Sequence, residues 1–214
     1  MGTTQFLTAK LAFSSYQERS YSFSNRPPIK SSTIVLDWDD TLMSTTYLLG
    51  KNKILNEDDI KEYKLLGEEV KKLLSLCKST STIIILTNST KAWVFSTAKK
   101  YLFIEDSVFD DVLIFSTRER FCDRFPMTLW KSKAYVEIEH QINQSKSIIC
   151  IGDSENDIEE GKKLKKKFPS LNVATVKFIN KPSHPSELIS EIKVVIKHFD
   201  TLLNSNYNMY IEQQ

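Results

Sequence analysis

Residues 34–41 read Ile34-Val35-Leu36-Asp37-Trp38-Asp39-Asp40-Thr41. An apolar run of strand type ends on three carboxylates within four residues. Like charges crowded at the mouth of a core raise one another's pKa and resist burial unless a cation or a hydrogen-bond network offsets them. Hard oxygen ligands clustered in this way suit Mg²⁺, which takes a few carboxylates together with phosphate oxygens.

Outward from this stretch, strand and helix patterns alternate, which predicts a parallel sheet with crossover helices. Thr33–Leu36 reads as the first strand. Asn56 caps a helix with Glu57, Asp58 and Asp59 in its first turn, and with Ile60, Leu66, Val70, Leu73 and Leu74 on its inner side. Thr82–Leu86 is a continuous apolar strand of the kind covered on both faces. Then follow a helix from about Thr90 to Tyr101, a strand at Val112–Phe115, a loop over Ser116–Leu129, a helix over Lys131–Ile142, a strand at Ser147–Ile151, a helix over Ile158–Lys167 and a strand at Val173–Phe178. Pro185 opens one long amphipathic helix carrying Leu188, Ile192, Val195, Ile196, Phe199 and Leu203. The expected architecture is α/β: a three-layer, doubly wound, mostly parallel sheet. The expected organisation is an N-terminal extension over 1–30, one domain over 31–204 and a tail over 205–214. No internal repeat is visible.

Ligands in such sheets bind beyond the carboxyl ends of the strands, and the notable polar groups fall there. Asp37 and Asp39 form D-x-D. Strand alternation points both to one side, so that one can attack a phosphorus atom while the other moves protons. Taken alone they also read as turn or capping residues. Thr87-Asn88-Ser89 ends the second strand just before a helix, where a hydroxyl and backbone N–H groups can hold a phosphate oxygen or simply cap the helix. Lys131 and Lys133 stand at a helix start, against the dipole, a place that suits a cation with an anion to meet. Gly152-Asp153-Ser154-Glu155-Asn156-Asp157 follows an apolar strand. Gly152 permits close backbone approach, Asp153 offers a hard ligand, and Asp157 lies one helical turn on, able to brace the site.

In this order, over residues 33–190, these motifs resemble the haloacid dehalogenase (HAD) superfamily of Mg²⁺-dependent phosphohydrolases. Asp37, Asp39 and Thr41 match D-x-D-x-T, Thr87 matches the strand-ending Thr or Ser, Lys131 or Lys133 the lysine, and Gly152, Asp153 and Asp157 match G-D-x-x-x-D. The resemblance implies Asp37 as nucleophile through an aspartyl-phosphate, with Asp39 as general acid and then base. It implies Mg²⁺ on the Asp37 carboxylate, the Asp39 backbone carbonyl and Asp153, and Thr87, Asn88 and the lysine on the substrate phosphoryl oxygens. Lys131 is preferred over Lys133 because Trp130-Lys131 directly precedes the helix.

About fifty residues separate Asp37 from Thr87, and about forty-four separate Thr87 from Lys131. The expected elements fill both intervals, so neither holds a large cap domain. An open site suits a phosphate displayed on a macromolecule. The expected substrate is a phosphorylated protein, phosphotyrosine ahead of phosphoserine, with Tyr47, Phe121, Phe125 and Trp130 as rings that could stack on it or instead pack the core. The D-W-D-D-T-L wording also resembles capless HAD-like phosphatases among effectors of intracellular bacteria, which would act in the host cytosol. A small-metabolite phosphatase and a receiver-like or non-catalytic phosphoprotein-binding module are the alternatives. A receiver would carry its acceptor Asp alone on a later strand, and dehalogenases proper lack the second Asp of D-x-D.

Composition agrees with this class. The 214 residues suffice for one large domain, and 29 basic against 27 acidic residues give a net charge of +2, too little to argue for nucleic acid. No apolar run approaches membrane-spanning length, and the N-terminus lacks a secretory-signal layout. Phe6 stands where a myristoylation signal after Gly2 wants Ser or Thr. Cys77, Cys122 and Cys150 read as reduced thiols of a cytoplasmic protein, and none is followed by Arg six positions on, as a cysteine-phosphatase loop requires. The basic run Lys162–Lys167 could touch anionic lipid or be a solvated helix end.

Overall fold

The computed structural model describes residues 30–51, 54–179, 184–204, 206 and 208–211, the last four for their backbone only. The expected N-terminal extension lies outside the described residues, apart from Lys30.

Strand β1 (Ser32–Leu36) lies at the centre of a sheet with β2 (Ser81–Thr87), β3 (Val112–Ser116), β4 (Ser147–Gly152), β5 (Asn172–Phe178) and a short edge strand β6 (Asn208–Ile211). Their order is β3-β2-β1-β4-β5-β6, and every pairing is parallel. This is an open α/β sheet of Rossmann-like type. The chain winds from β1 outward to β3, then crosses to β4 on the other side of β1, so the direction of winding reverses between β1 and β4. A crevice opens at that switch, beyond the carboxyl ends of the strands.

Eight helices connect the strands among the described residues: α1 (Thr45–Gly50), α2 (Glu57–Thr80), α3 (Lys91–Lys100), α4 (Thr117–Phe121), α5 (Trp130–Ile142), α6 (Glu155–Lys167), α7 (Pro185–Lys197) and α8 (Phe199–Asn204). Side chains alternate across each strand, which sorts the core into two layers. Ile34, Leu36, Ile83, Ile85, Ile149 and Ile151 face α2, α3, α7 and α8. Val35, Ile84, Leu86, Ile148 and Cys150 face α4, α5 and α6. The expected three-layer architecture is therefore present. The helices between β1 and β2 and between β2 and β3 pack into these layers, and no separate cap is found among the described residues.

Helix α2 shows how the sequence builds one of these layers. Asn56 Oδ1 accepts from the Asp59 N–H at 2.8 Å while Asp59 Oδ2 accepts from the Asn56 N–H at 3.1 Å, a reciprocal capping box. Tyr63, Leu66, Val70, Leu73, Leu74 and Cys77 recur at helical spacing and are fully buried; each large one contributes roughly 1.5–3 kcal/mol. Ile60, expected on the inner side, is exposed. Gly67 allows the helix to come close to the end of α3: a Cβ there would lie 1.9 Å from the Leu102 carbonyl oxygen. Backbone cannot yield as a side chain can, so Gly67→Ala should lower stability by about 2–3 kcal/mol. Thermal unfolding should show this as a melting temperature lower by roughly 5–10 °C.

Three further expectations change. The long helix after Pro185 is two helices, because His198 leaves helical geometry between α7 and α8. The loop Ser116–Leu129 contains α4 and a 3₁₀ turn at Met127–Leu129. Within the expected tail over 205–214, Asn208–Ile211 form β6 and extend the sheet beside β5.

Candidate active site

Asp37 is the first residue past β1, and its N–H continues the ladder by donating to the Ile151 carbonyl at 2.9 Å. It has the same parity as Val35 and so comes out on the α5/α6 side of the sheet. Lys131, in the first turn of α5, reaches it there, with Nζ 3.1 Å from Asp37 Oδ2. The same ammonium pairs with Asp157 Oδ1. Both Lys131 and Asp37 are buried, each 6% exposed. Lys133 lies two residues on, exposed, with its ammonium 4.9 Å from the centroid of the Phe125 ring. Of the two candidate lysines, Lys131 is thus the one that meets the carboxylates.

Asp157 is the N3 residue of α6. Its Oδ2 accepts from the Ser154 hydroxyl and backbone N–H, and the Ser154 hydroxyl in turn caps the Asp157 N–H. Gly152 makes room for this: a Cβ there would stand 2.5 Å from Asp157 Cγ. Asp153, at the end of β4, completes a trio with Asp37 and Asp157 whose oxygens lie within 4.8 Å of one another. At an effective dielectric of about 20, each pair of unit charges at that separation repels by ~3 kcal/mol. One ammonium among three buried carboxylates leaves two formal negative charges in excess. Burial, and then the neighbouring Asp157, Asp153 and Asp39, push the Asp37 carboxyl well above its ordinary value, despite the opposing pull of Lys131. Burial works against the charge of Lys131, but Asp37 and Asp157 outweigh it and its pKa is raised. An anionic, oxygen-only pocket of this kind fits a hard divalent cation, and these three aspartates could hold one.

Asp39 has different partners from Asp37. Strand β1 ends at Leu36, and Asp37 and Trp38 already lie outside regular strand geometry, so alternation alone does not set the partners of Asp39, whose charge still reaches Asp37. Asp39 Oδ1 accepts from Thr45 Oγ1 at 2.7 Å and from Trp93 Nε1 at 2.9 Å. Its Oδ2 accepts from Ser89 Oγ at 2.6 Å and from Thr87 Oγ1 at 3.3 Å. Thr87 also accepts from the Ser89 N–H at 2.9 Å. Four donors on two oxygens fix this carboxylate between β2, α1 and α3. Ser89, Trp93 and Thr45 are site residues that lie outside the matched motifs. Ser89 could have been found from its place in Thr87-Asn88-Ser89, whereas nothing local marks Trp93 or Thr45.

Asn88 turns elsewhere, its Oδ1 accepting from Thr117 Oγ1 at 2.6 Å. Thr41 is fully buried, and its hydroxyl has no partner among the described residues. Phe121 and Trp130 are buried, Trp130 Nε1 donates to the Phe125 carbonyl at 2.8 Å, and the faces they leave are covered by Arg124 and Arg118, so neither is free to stack on a substrate ring. Tyr47 donates to Asp59 Oδ1 at 2.8 Å and sets its ring edge-on to His184 at 4.4 Å. Phe125 is half-buried.

The lysines of the basic run are largely occupied. Lys163 pairs with Glu160 at 2.6 Å, Lys162 with Glu159 at 2.8 Å and Lys167 with Glu139 at 2.6 Å, while Lys165 bonds the carbonyls of Pro169 and Leu171. No described helix is long and apolar enough to cross a membrane. The thiols of Cys77 and Cys150 are buried, and burial pushes both up to about 12. In comparison with known proteins, no family model matches the chain, and no curated protein or solved structure matches it either.

Proposed function

We propose that this protein is a Mg²⁺-dependent phosphomonoester hydrolase of the HAD type, acting in the cytosol on phosphorylated protein side chains, with phosphotyrosine ahead of phosphoserine. One observation carries this reading: a buried ammonium, Lys131, is clasped by Asp37 and Asp157 beside Asp153 at the switch between β1 and β4. Mg²⁺ would be held by the carboxylates of Asp37 and Asp153 and the Asp39 backbone carbonyl, and when bound it offsets charge so that a carboxylate can approach a phosphate dianion.

The residues divide the work. Asp37 Oδ attacks phosphorus, forming an acyl-phosphate bond as the bond from phosphorus to the leaving oxygen breaks. Asp39 gives that oxygen its proton, then takes one from the water that hydrolyses the aspartyl-phosphate. For the first transfer Asp39 must itself hold a proton, which takes the place of one of its four donors, and the remaining donors keep the carboxyl oriented. Lys131 and Thr87 hold the transferring phosphoryl oxygens, with Asp157 steering the lysine. The substrate preference follows from depth: Asp37 is nearly covered, and a phosphate on a long rigid ring reaches it more readily than one on a serine arm.

Turnover of p-nitrophenyl phosphate with Mg²⁺, and its loss in EDTA, tests the hydrolase. Matched phosphopeptides and small phosphate esters test the substrate class. No Mg²⁺-dependent turnover of any phosphate ester would remove the proposal; a tenfold preference for phosphoserine or a sugar phosphate would remove the tyrosine assignment.

A further inference from the structure

On the exposed rim of this site, the guanidinium of Arg118 has no carboxylate partner among the described residues and is held on both sides by the site's own neighbours. Arg118 stands in the first turn of α4. Its Nε donates to the carbonyl of Asn88, the residue after Thr87, at 3.1 Å. Its guanidinium carbon lies 5.7 Å from the ring centroid of Trp130, the residue before Lys131. Trp130 is itself buried and tied to the Phe125 carbonyl, so the stacking surface is rigid.

Of the surrounding acids, Glu137 and Glu119 are engaged elsewhere, and Asp123 meets the neighbouring Cys122 thiol at 3.5 Å. Arg120 takes both oxygens of Glu137 at 2.9 and 3.1 Å, and Glu119 Oε1 accepts from the Lys91 N–H at 2.7 Å. Among the described residues no carboxylate lies within ion-pair distance of Arg118 or Arg124. Arg124 stacks over Phe121 and Phe125, and Lys133 over Phe125, on the same segment. A positive rim thus borders an anionic interior. A guanidinium that uses only Nε keeps its terminal nitrogens for a planar, two-oxygen anion, and its stacked position reduces the ordering entropy lost on binding.

We infer that Arg118 is a specificity-determining residue that binds the carboxylate of an Asp or Glu flanking the phosphorylated residue of a peptide substrate. This rests on the proposed phosphatase function. The scissile phosphate belongs at Lys131 and Thr87, each one residue from an anchor of Arg118, so the guanidinium lies beside the phosphate and meets a second anion. Lys133 and Arg124 extend the same charge further along the rim.

The experiment compares kcat/KM on matched phosphotyrosine peptides that carry acidic, neutral or lysine flanks, with p-nitrophenyl phosphate as reference. Wild type should favour the acidic flank by about two- to fivefold, mostly in KM, the scale of one exposed but preorganised ion pair. In Arg118→Ala the acidic-to-neutral ratio should fall towards one, and Arg118→Glu should favour the lysine-flanked peptide. Reversal by charge exchange is not expected of a residue that only packs on Trp130. An equal ratio in wild type and Arg118→Ala overturns the inference while leaving the hydrolase intact, and so does a sugar bisphosphate outcompeting the acidic peptide. Inactivity of wild type on p-nitrophenyl phosphate overturns the phosphatase function itself, and the inference with it.

Discussion

Asp37→Asn should abolish phosphatase turnover, by ~10³-fold or more, and at the same time make the metal-free protein more stable. The amide keeps the shape of the carboxylate but lacks the nucleophilic charge, so the first chemical step has no attacking group. The gain in stability has a separate cause. Burial and three neighbouring aspartates raise the Asp37 carboxyl well above its ordinary value, which means the native state resists its ionisation. A group whose pKa is raised on folding contributes its stability below the unfolded value, about 3.9, and loses it as pH rises through the folded value. At neutral pH the wild type therefore carries a penalty that Asn does not. The replacement should raise the melting temperature in EDTA by roughly 3–6 °C, equivalent to about 1–2 kcal/mol. The difference between the two proteins should be small near about pH 4 and widen as pH increases. Mg²⁺ should stabilise the wild type and narrow the gap. Calorimetry in EDTA at several pH values checks the stability claim, and p-nitrophenyl phosphate turnover checks the chemistry. Wild-type rates from Asp37→Asn would remove Asp37 as nucleophile.

Lys131→Ala should have the largest effect on the fold of any single change in the site. Removing one partner of a buried ion pair leaves its counter-charges uncompensated, typically at 3–5 kcal/mol. Here two partners are left at once, Asp37 and Asp157, with Asp153 beside them. The melting temperature in EDTA should drop by roughly 10 °C or more. The loss should shrink as pH falls, because the Asp37 carboxyl, held well above its ordinary value by burial, takes up a proton in the native state. Mg²⁺ should restore part of the stability without restoring turnover, since a phosphoryl oxygen has then lost its lysine. Lys133→Ala is the comparison. Its ammonium is exposed and lies over Phe125, so its removal should change stability by no more than ~0.5 kcal/mol. Equal losses from the two replacements would contradict the clasp around Lys131.

These two effects also separate what was legible in the chain from what was not. The strand ending on Asp37, the Thr87 and Gly152-Asp153 strand ends, and a lysine set against a helix dipole are local patterns. Hydrophobic period and the abrupt arrival of polar groups expose them without any partner in view. The α/β class and the meeting of these groups at one sheet edge follow from the same alternation, because a parallel sheet brings all its carboxyl ends to one side. The sequence by itself thus determined the sheet, the edge and the residue types gathered there.

Tertiary structure decided which of those residues touch. Lys131 and Lys133 are two positions apart and so about 200° apart around a helix. Only the docking of α5 onto the sheet selects Lys131 to face Asp37. Asp39 follows Asp37 with strand parity, but β1 ends at Leu36 and parity does not set its partners, which are Thr45 in α1 and Thr87, Ser89 and Trp93 between the end of β2 and α3. Phe121 and Trp130 have the composition of a binding surface but pack into the core between sheet and helices. Four residues after α8 carry too little pattern to announce a strand; it is the open edge of β5 that gives β6 its hydrogen bonds. Periodicity is a property of one segment, whereas each of these contacts depends on how two or more segments are packed together.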